Sequence, residues 1–149
     1  MAKLINRVES RFFSITENVA LSRVMVAAVA APLDLLLSQL DEIKVAVSEA
    51  VSNAIIHGYE GRADELVGLA IEHWEDRLTI RIKDNGVGIQ NIAEAMEPNF
   101  SSCGDRMGLG FAFMNSFMDK LEVFSEIGKG TEVILTKMLQ EETTESNKG

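Results

Sequence analysis

The sequence predicts a two-layer α+β sandwich, a mixed sheet covered on one face by helices. Three observations predict it. Residues 78–83 alternate Leu78, Ile80 and Ile82 with Thr79, Arg81 and Lys83, the pattern of a half-buried strand. Residues 40–57 carry Ile43, Val45, Ala46, Val47, Ala50, Val51, Ala54 and Ile55 nearly all around a helix, which must then be buried against a larger surface. The remaining strands and helices fall along the chain without a repeat or a dividing linker, as in a layered domain.

The elements follow in order. Residues 10–15 are short and aromatic and read as a first strand. Thr16 or Asn18 caps a following helix that Val19, Val24, Val26, Ala27 and Ala30 make apolar, and Pro32 stops it. The buried helix over 40–57 comes next, and Gly58 ends it as a C-terminal glycine does. Strands over 66–74 and 78–83 are joined by the polar turn Glu75-Asp76-Arg77. A loop region over 84–107 holds one short helical stretch, 92–96. Loops of that length inside a compact domain are usually lids or binding loops. Residues 110–118 read as a third main helix. Residues 123–125 and 131–136 form a closing hairpin around Gly128-Lys129-Gly130. The expected organisation is one domain over 1–149, with an ordered core of about 10–138 and a polar tail.

Composition narrows the function. With 14 Lys and Arg against 23 Asp and Glu, the formal charge of −9 repels nucleic acid, so an anionic ligand must be held by local donors. The single cysteine, Cys103, excludes an internal disulfide and a Cys-rich zinc site, in keeping with a reducing cytoplasm. The apolar stretch over 24–37 is broken by Pro32 and Asp34 and is too short for a membrane span. Residues 1–11 show no signal-peptide pattern. A protein of the cytoplasm, with no contact to membrane or nucleic acid, is the expectation.

Four constellations carry chemistry. Glu49, Asn53 and His57, four apart, form a polar stripe on the apolar helix, and each needs a partner there. An Asn carbonyl is a hard oxygen ligand suited to Mg²⁺. A carboxylate one turn away can accept a proton from an attacking hydroxyl. The second is Asp84-Asn85-Gly86-Val87-Gly88, directly after a strand. Its glycines let backbone approach a ligand, and an Asp at a strand end can accept from an exocyclic amine. Asn-Gly is also a common hairpin turn, but no clear partner strand follows Gly88. Gly86 and Gly88 also stand where an EF-hand loop needs oxygen-bearing side chains. The third is Gly108-Leu109-Gly110 opening a helix, whose free N–H groups favour phosphate. Phe113 stands where a Rossmann fingerprint needs its third glycine. The fourth, Gly128-Lys129-Gly130-Thr131, fails as a P-loop because Val123 and Gly130 occupy the positions of its first glycine and its Ser/Thr. Singly, each of the last two reads more readily as a turn.

Together and in this order, Glu-x-x-x-Asn, Asp-x-Gly-x-Gly, Gly-x-Gly and Gly-x-Gly-Thr resemble the four boxes of the GHKL superfamily, whose ATP-binding domain is the Bergerat fold. Within it, Val47-Ser-Glu-Ala-Val-Ser-Asn-Ala-Ile-Ile-His-Gly-Tyr59 and Met107-Gly-Leu-Gly-Phe-Ala-Phe-Met-Asn-Ser-Phe-Met-Asp119 are similar to the sporulation anti-sigma F factor family. The similarity runs from about residue 12 to 137. It implies a homodimer that binds and inhibits an RNA polymerase sigma factor. It also implies a protein serine kinase that uses ATP and Mg²⁺ to phosphorylate an anti-anti-sigma protein. Residue by residue, the resemblance implies that Glu49 is the catalytic base, Asn53 the magnesium ligand and Asp84 the reader of the adenine amine, supported by Thr131. Gly86 and Gly88 then flank the base, Gly108 and Gly110 lie under the phosphates, and His57 lies near the phosphate end. Arg23 matches a partner-contact position, and Arg106 one associated with the nucleotide lid. The lid over 98–107 looks shorter than the family's, with Cys103-Gly104 in place of a charged stretch. The alternatives are a stress-response anti-sigma kinase, a module that binds ATP without catalysis, and a histidine kinase domain. The last lacks a preceding helix pair with a phospho-accepting His.

Overall fold

The structure, a computed structural model, describes residues 1–97 and 107–139. Five strands form one sheet in the order β1-β2-β3-β5-β4: β1 Leu4–Phe13, β2 Leu66–Trp74, β3 Arg77–Asp84, β4 Lys120–Glu126 and β5 Gly130–Met138. All four pairings are antiparallel, not mixed as expected. β3 and β4 do run in the same direction, because a helical crossover joins them. The last of the described strands, β5, then inserts between the two and pairs antiparallel with each.

β1 starts at Leu4, six residues before the expected start at Ser10. Its first residues, Leu4-Ile5-Asn6-Arg7, do not alternate and are all exposed, which hides the strand pattern. From Val8 on, Val8, Ser10 and Phe12 turn inward while Glu9, Arg11 and Phe13 stay exposed. Opposite Arg7 stands Glu72, and the two side chains are ion-paired, which supports a segment that buries little.

Helix α1 spans Glu17–Ala30. Thr16 holds its N-cap position without a side-chain bond, and Asn18 instead donates to the Phe13 carbonyl at 2.8 Å. α2 spans Leu37–Asn53, three residues earlier than expected, because the Gln39 side-chain oxygen accepts the Leu36 N–H at 2.9 Å and starts the helix there. Its final turn, Ala54–Gly58, widens into a π-turn, with the Tyr59 N–H bonded to the Ala54 carbonyl at 2.9 Å. α3 is the short Ile92–Ala95, and α4 spans Met107–Phe117.

The helices share one face of the sheet. Ile43, Val47 and Val51 of α2 meet Ile71, Ile80 and Leu135 in a core with Phe111 and Met114 of α4. Val45 is 40 % exposed, so α2 is buried over most of its circumference and not all of it. The opposite sheet face carries charge: Glu72 is clasped by Arg7 and Arg81. Among the described residues no helix is long and apolar enough to cross a membrane.

Candidate functional site

The π-turn, the β3 end and the start of α4 converge on a cleft of about 970 Å³. Ile56, His57, Gly61, Val87, Gly88, Ile89 and Met107 are among its walls. Behind it lies a recess of about 30 Å³, room for one water, lined by Asn53, Asp84, Phe111 and Thr131 among others. Ile89 and Met107 line both spaces.

Asp84 closes the recess. Only 4 % exposed, it is paired across the ladder with Thr131, so β5 is the partner strand missing from the chain directly after Gly88. Its carboxylate accepts the Gly86 N–H at 2.9 Å and the Thr131 N–H. Burial nonetheless raises its pKa, outweighing the lowering by those two donors. Glycines make the approach possible. A Cβ on Gly58 would lie 2.7–2.8 Å from the Asp84 carboxylate, and one on Gly86 would lie 1.9 Å from the Gly58 carbonyl oxygen. The Gly58 carbonyl also accepts the Val87 N–H at 2.9 Å, docking the β3 turn on the π-turn.

Glu49 and Asn53 meet over α4. The Cβ position of Gly110 lies 3.0 Å from Glu49 Oε2 and 3.6 Å from both terminal atoms of the Asn53 amide. A Cβ at 110 would therefore crowd the Glu49 carboxylate and stand in ordinary contact with the Asn53 amide. Gly108, by contrast, packs against the Glu97 carbonyl oxygen, its Cβ position 2.1 Å away. Asn53 Nδ2 is buried without a hydrogen-bond partner among the described residues. An unpaired buried N–H donor costs about 1–3 kcal/mol, so this site suits a ligand that brings an acceptor oxygen, and the side-chain oxygen of the same amide is the atom left for a metal.

Of the expected stripe, Glu49 and Asn53 lie together beside Gly110, and His57 lines the recess with Asn53. The π-turn rotates His57 out of α-helical register, and it lines the open cleft as well as the recess. Thr131 supports Asp84 through its backbone N–H, while its hydroxyl bonds Ser125 Oγ at 2.8 Å. Gly88 lines both spaces. Arg23 donates to Ser48 Oγ at 3.0 Å, bridging α1 to α2 and leaving it half-buried. Arg106 and Cys103 lie outside the described residues.

Two hydroxyls escaped the sequence reading. Ser125 Oγ accepts the Ile89 N–H at 2.7 Å, tying the cleft wall to β4. The Tyr59 hydroxyl accepts the Asn85 N–H at 2.7 Å. A lone tyrosine directly after His57-Gly58 was the available signal for the second. Nothing near Ser125 marked the first.

Among the described residues no three His, Cys, Asp or Glu gather as a metal cluster. A metal here would depend on Asn53 and on the oxygens of a bound ligand, the mode in which Mg²⁺ is held beside phosphates.

Residues 14–137 match the profile of the histidine kinase-like ATPase domain family. The chain is 51 % identical over 134 residues to the anti-sigma F factor of Clostridium beijerinckii, covering 89 % of this chain and 94 % of that one. Against the anti-sigma F factor of Clostridium acetobutylicum it is 49 % identical over 137 residues, covering 90 % and 94 %. The Bacillus cereus anti-sigma F factor is 43 % identical over 136 residues, covering 90 % and 93 %. Among solved structures, the RsbU and RsbW domains of a Mycobacterium tuberculosis protein share the fold, with a TM-score of 0.66 at 18 % identity. That match covers 91 % of this chain and 33 % of the other. A glycine-walled cleft ending in a buried Asp, on a chain with these relatives, is a nucleotide-binding domain of known kind: the chain belongs to the histidine kinase-like ATPase domain family and, within it, to the anti-sigma F factors.

Proposed function

We propose that the cleft binds ATP with Mg²⁺, that the chain transfers phosphate to a serine of an anti-anti-sigma protein, and that it binds and inhibits a sporulation sigma factor. The observation that carries this reading is the arrangement at the cleft's inner end. There a buried carboxylate with two backbone donors faces a recess shared with an unpaired amide, and a second carboxylate lies one helical turn before that amide. The Asp84 carboxylate supplies an acceptor for the adenine amine. Ile89 and Met107 line both the cleft and the recess that holds this acceptor. The Asn53 amide would ligate the metal, which when bound neutralises phosphate charge. Glu49 is the group that orients and deprotonates the serine hydroxyl. Phosphoryl transfer asks a protein mainly for positioning and charge stabilisation, and these residues suit that task.

The inhibitory role rests on the relatives' name, and the serine substrate on the family resemblance. So do the homodimer and the cytoplasmic setting. Arg23 is the proposed partner contact on α1, where one terminal nitrogen of its guanidinium donates to Ser48 and the side chain is half-buried. Arg106 is proposed for the same role at the lid.

Glu49→Gln tests the reading. It keeps the side chain's shape and loses the charge. The variant is expected to bind ATP and capture the sigma factor as the parent does, with phosphate incorporation into the anti-anti-sigma protein slowed at least a hundredfold. Transfer at the parent's rate removes Glu49 from catalysis. No transfer by the parent, with partner and Mg²⁺ present, leaves a module that binds without catalysis.

A further inference from the structure

The turn after β3 is held from three directions. Of its backbone N–H groups, that of Asn85 goes to the Tyr59 hydroxyl, that of Gly86 to the Asp84 carboxylate, and that of Val87 to the Gly58 carbonyl. The Ile89 N–H goes to Ser125 Oγ. Tyr59 differs from the other anchors. It is 1 % exposed, and its hydroxyl both accepts from Asn85 and donates to the Leu66 carbonyl at 2.5 Å. Those bonds join the residue after Asp84 to the first residue of β2. The phenol sits at the C-terminal end of the π-turn, whose widened geometry brings residue 59 under the β3 end.

We propose that Tyr59 is a positioning residue for base recognition: its hydroxyl sets the backbone from which the Asp84 carboxylate is aimed, and so sets the preference for a base carrying an exocyclic amine. The inference rests on the reading of Asp84 given above. Tyr59 lines neither the cleft nor the recess, so it acts on the base only through the backbone that carries Asp84. A purely structural tyrosine would support all nucleotides alike. A positioning tyrosine affects only those that Asp84 discriminates.

The test compares ATP with inosine triphosphate, the same nucleotide with a carbonyl oxygen where adenine has its amine. Calorimetry gives both affinities for the parent, Tyr59→Phe, Asp84→Asn and the double variant. In the parent, ATP is preferred. In Tyr59→Phe the preference falls about tenfold, mainly through weaker ATP binding, the scale of one buried hydrogen bond. In the double variant the preference is no lower than in Asp84→Asn alone, because Tyr59 acts through that carboxylate. Equal weakening of both nucleotides in Tyr59→Phe, or an unchanged preference, overturns the proposal and leaves the reading of Asp84 intact. No preference in the parent overturns that reading, and this proposal with it.

A second measurement does not depend on the variant folding. Tyr59 is the single tyrosine of the chain, so growth on 3-fluorotyrosine labels that position alone. Its fluorine resonance is expected to move on saturation with ATP and to move measurably less with inosine triphosphate. Identical responses to the two nucleotides overturn the proposal.

Discussion

Burial holds the Asp84 carboxyl protonated to a higher pH than its ordinary value of 3.8, even with the Gly86 and Thr131 N–H groups pointing at it. The folded chain therefore binds more protons than the unfolded one between 3.8 and the raised folded value, and stability falls as pH rises through that window. Asp84→Asn should flatten this part of the profile, read by melting temperature against pH. An amine donor stabilises the anion, so ATP affinity should rise with pH through the same titration and ATP uptake should release a proton. Calorimetry in buffers of different ionisation enthalpy detects that proton. Its persistence in Asp84→Asn would assign it to another group. The same substitution should weaken ATP by about 1–3 kcal/mol. Asn53→Ala removes the unpaired amide, so the apo protein should not lose stability for want of that bond. The gain in nucleotide affinity on adding Mg²⁺ should vanish, and if the gain survives in full, Asn53 is not the ligand. Both residues were legible beforehand because a polar group on an apolar helix, and an Asp closing an alternating strand, break a local pattern. Tyr59 breaks none, because a tyrosine at a helix end is an ordinary core residue until the fold brings Asn85 over it.

The elements tell the same story with different limits. β2 was readable to its exact ends because its residues stand out against turn sequence on both sides. The first half of β1 was not, since its reason to be a strand is Glu72, more than sixty residues away, and no window along the chain contains that pairing. The π-turn was also invisible. Ala54, Ile55 and Ile56 suit an α-helix equally well, and the extra residue in the turn is stabilised by the β3 end docking on it. Gly58→Ala probes that docking. The new methyl group would lie 2.7–2.8 Å from the Asp84 carboxylate, so either the turn or the carboxylate must shift. ATP affinity should fall at least tenfold, with a loss of about 1–3 kcal/mol of stability in urea unfolding. Parent-like values for both would show that the two elements have slack between them.

At the scale of the molecule, the two sheet faces do separate work. The helix face holds the core and the cleft, and the other carries charge, with the Glu72 side chain at 5 % exposure between Arg7 and Arg81. Glu72→Gln should lower the melting temperature, because both guanidinium groups lose their shared buried partner. Nucleotide affinity should stay at the parent's level, since Arg7, Glu72 and Arg81 line neither the cleft nor the recess. A matching fall in ATP affinity would mean that the faces communicate through β3. The order of strands has a consequence in time. The last of the described strands, β5, fills the gap between β3 and β4, and it delivers the Thr131 N–H to Asp84. Until β5 has left the ribosome, β3 and β4 stand side by side in direction with nothing between them, each with an open edge suited to pairing with the wrong chain. A nascent or truncated product ending before residue 130 thus has the aspartate without its pocket, and a nucleotide column would retain only chains whose synthesis passed that point.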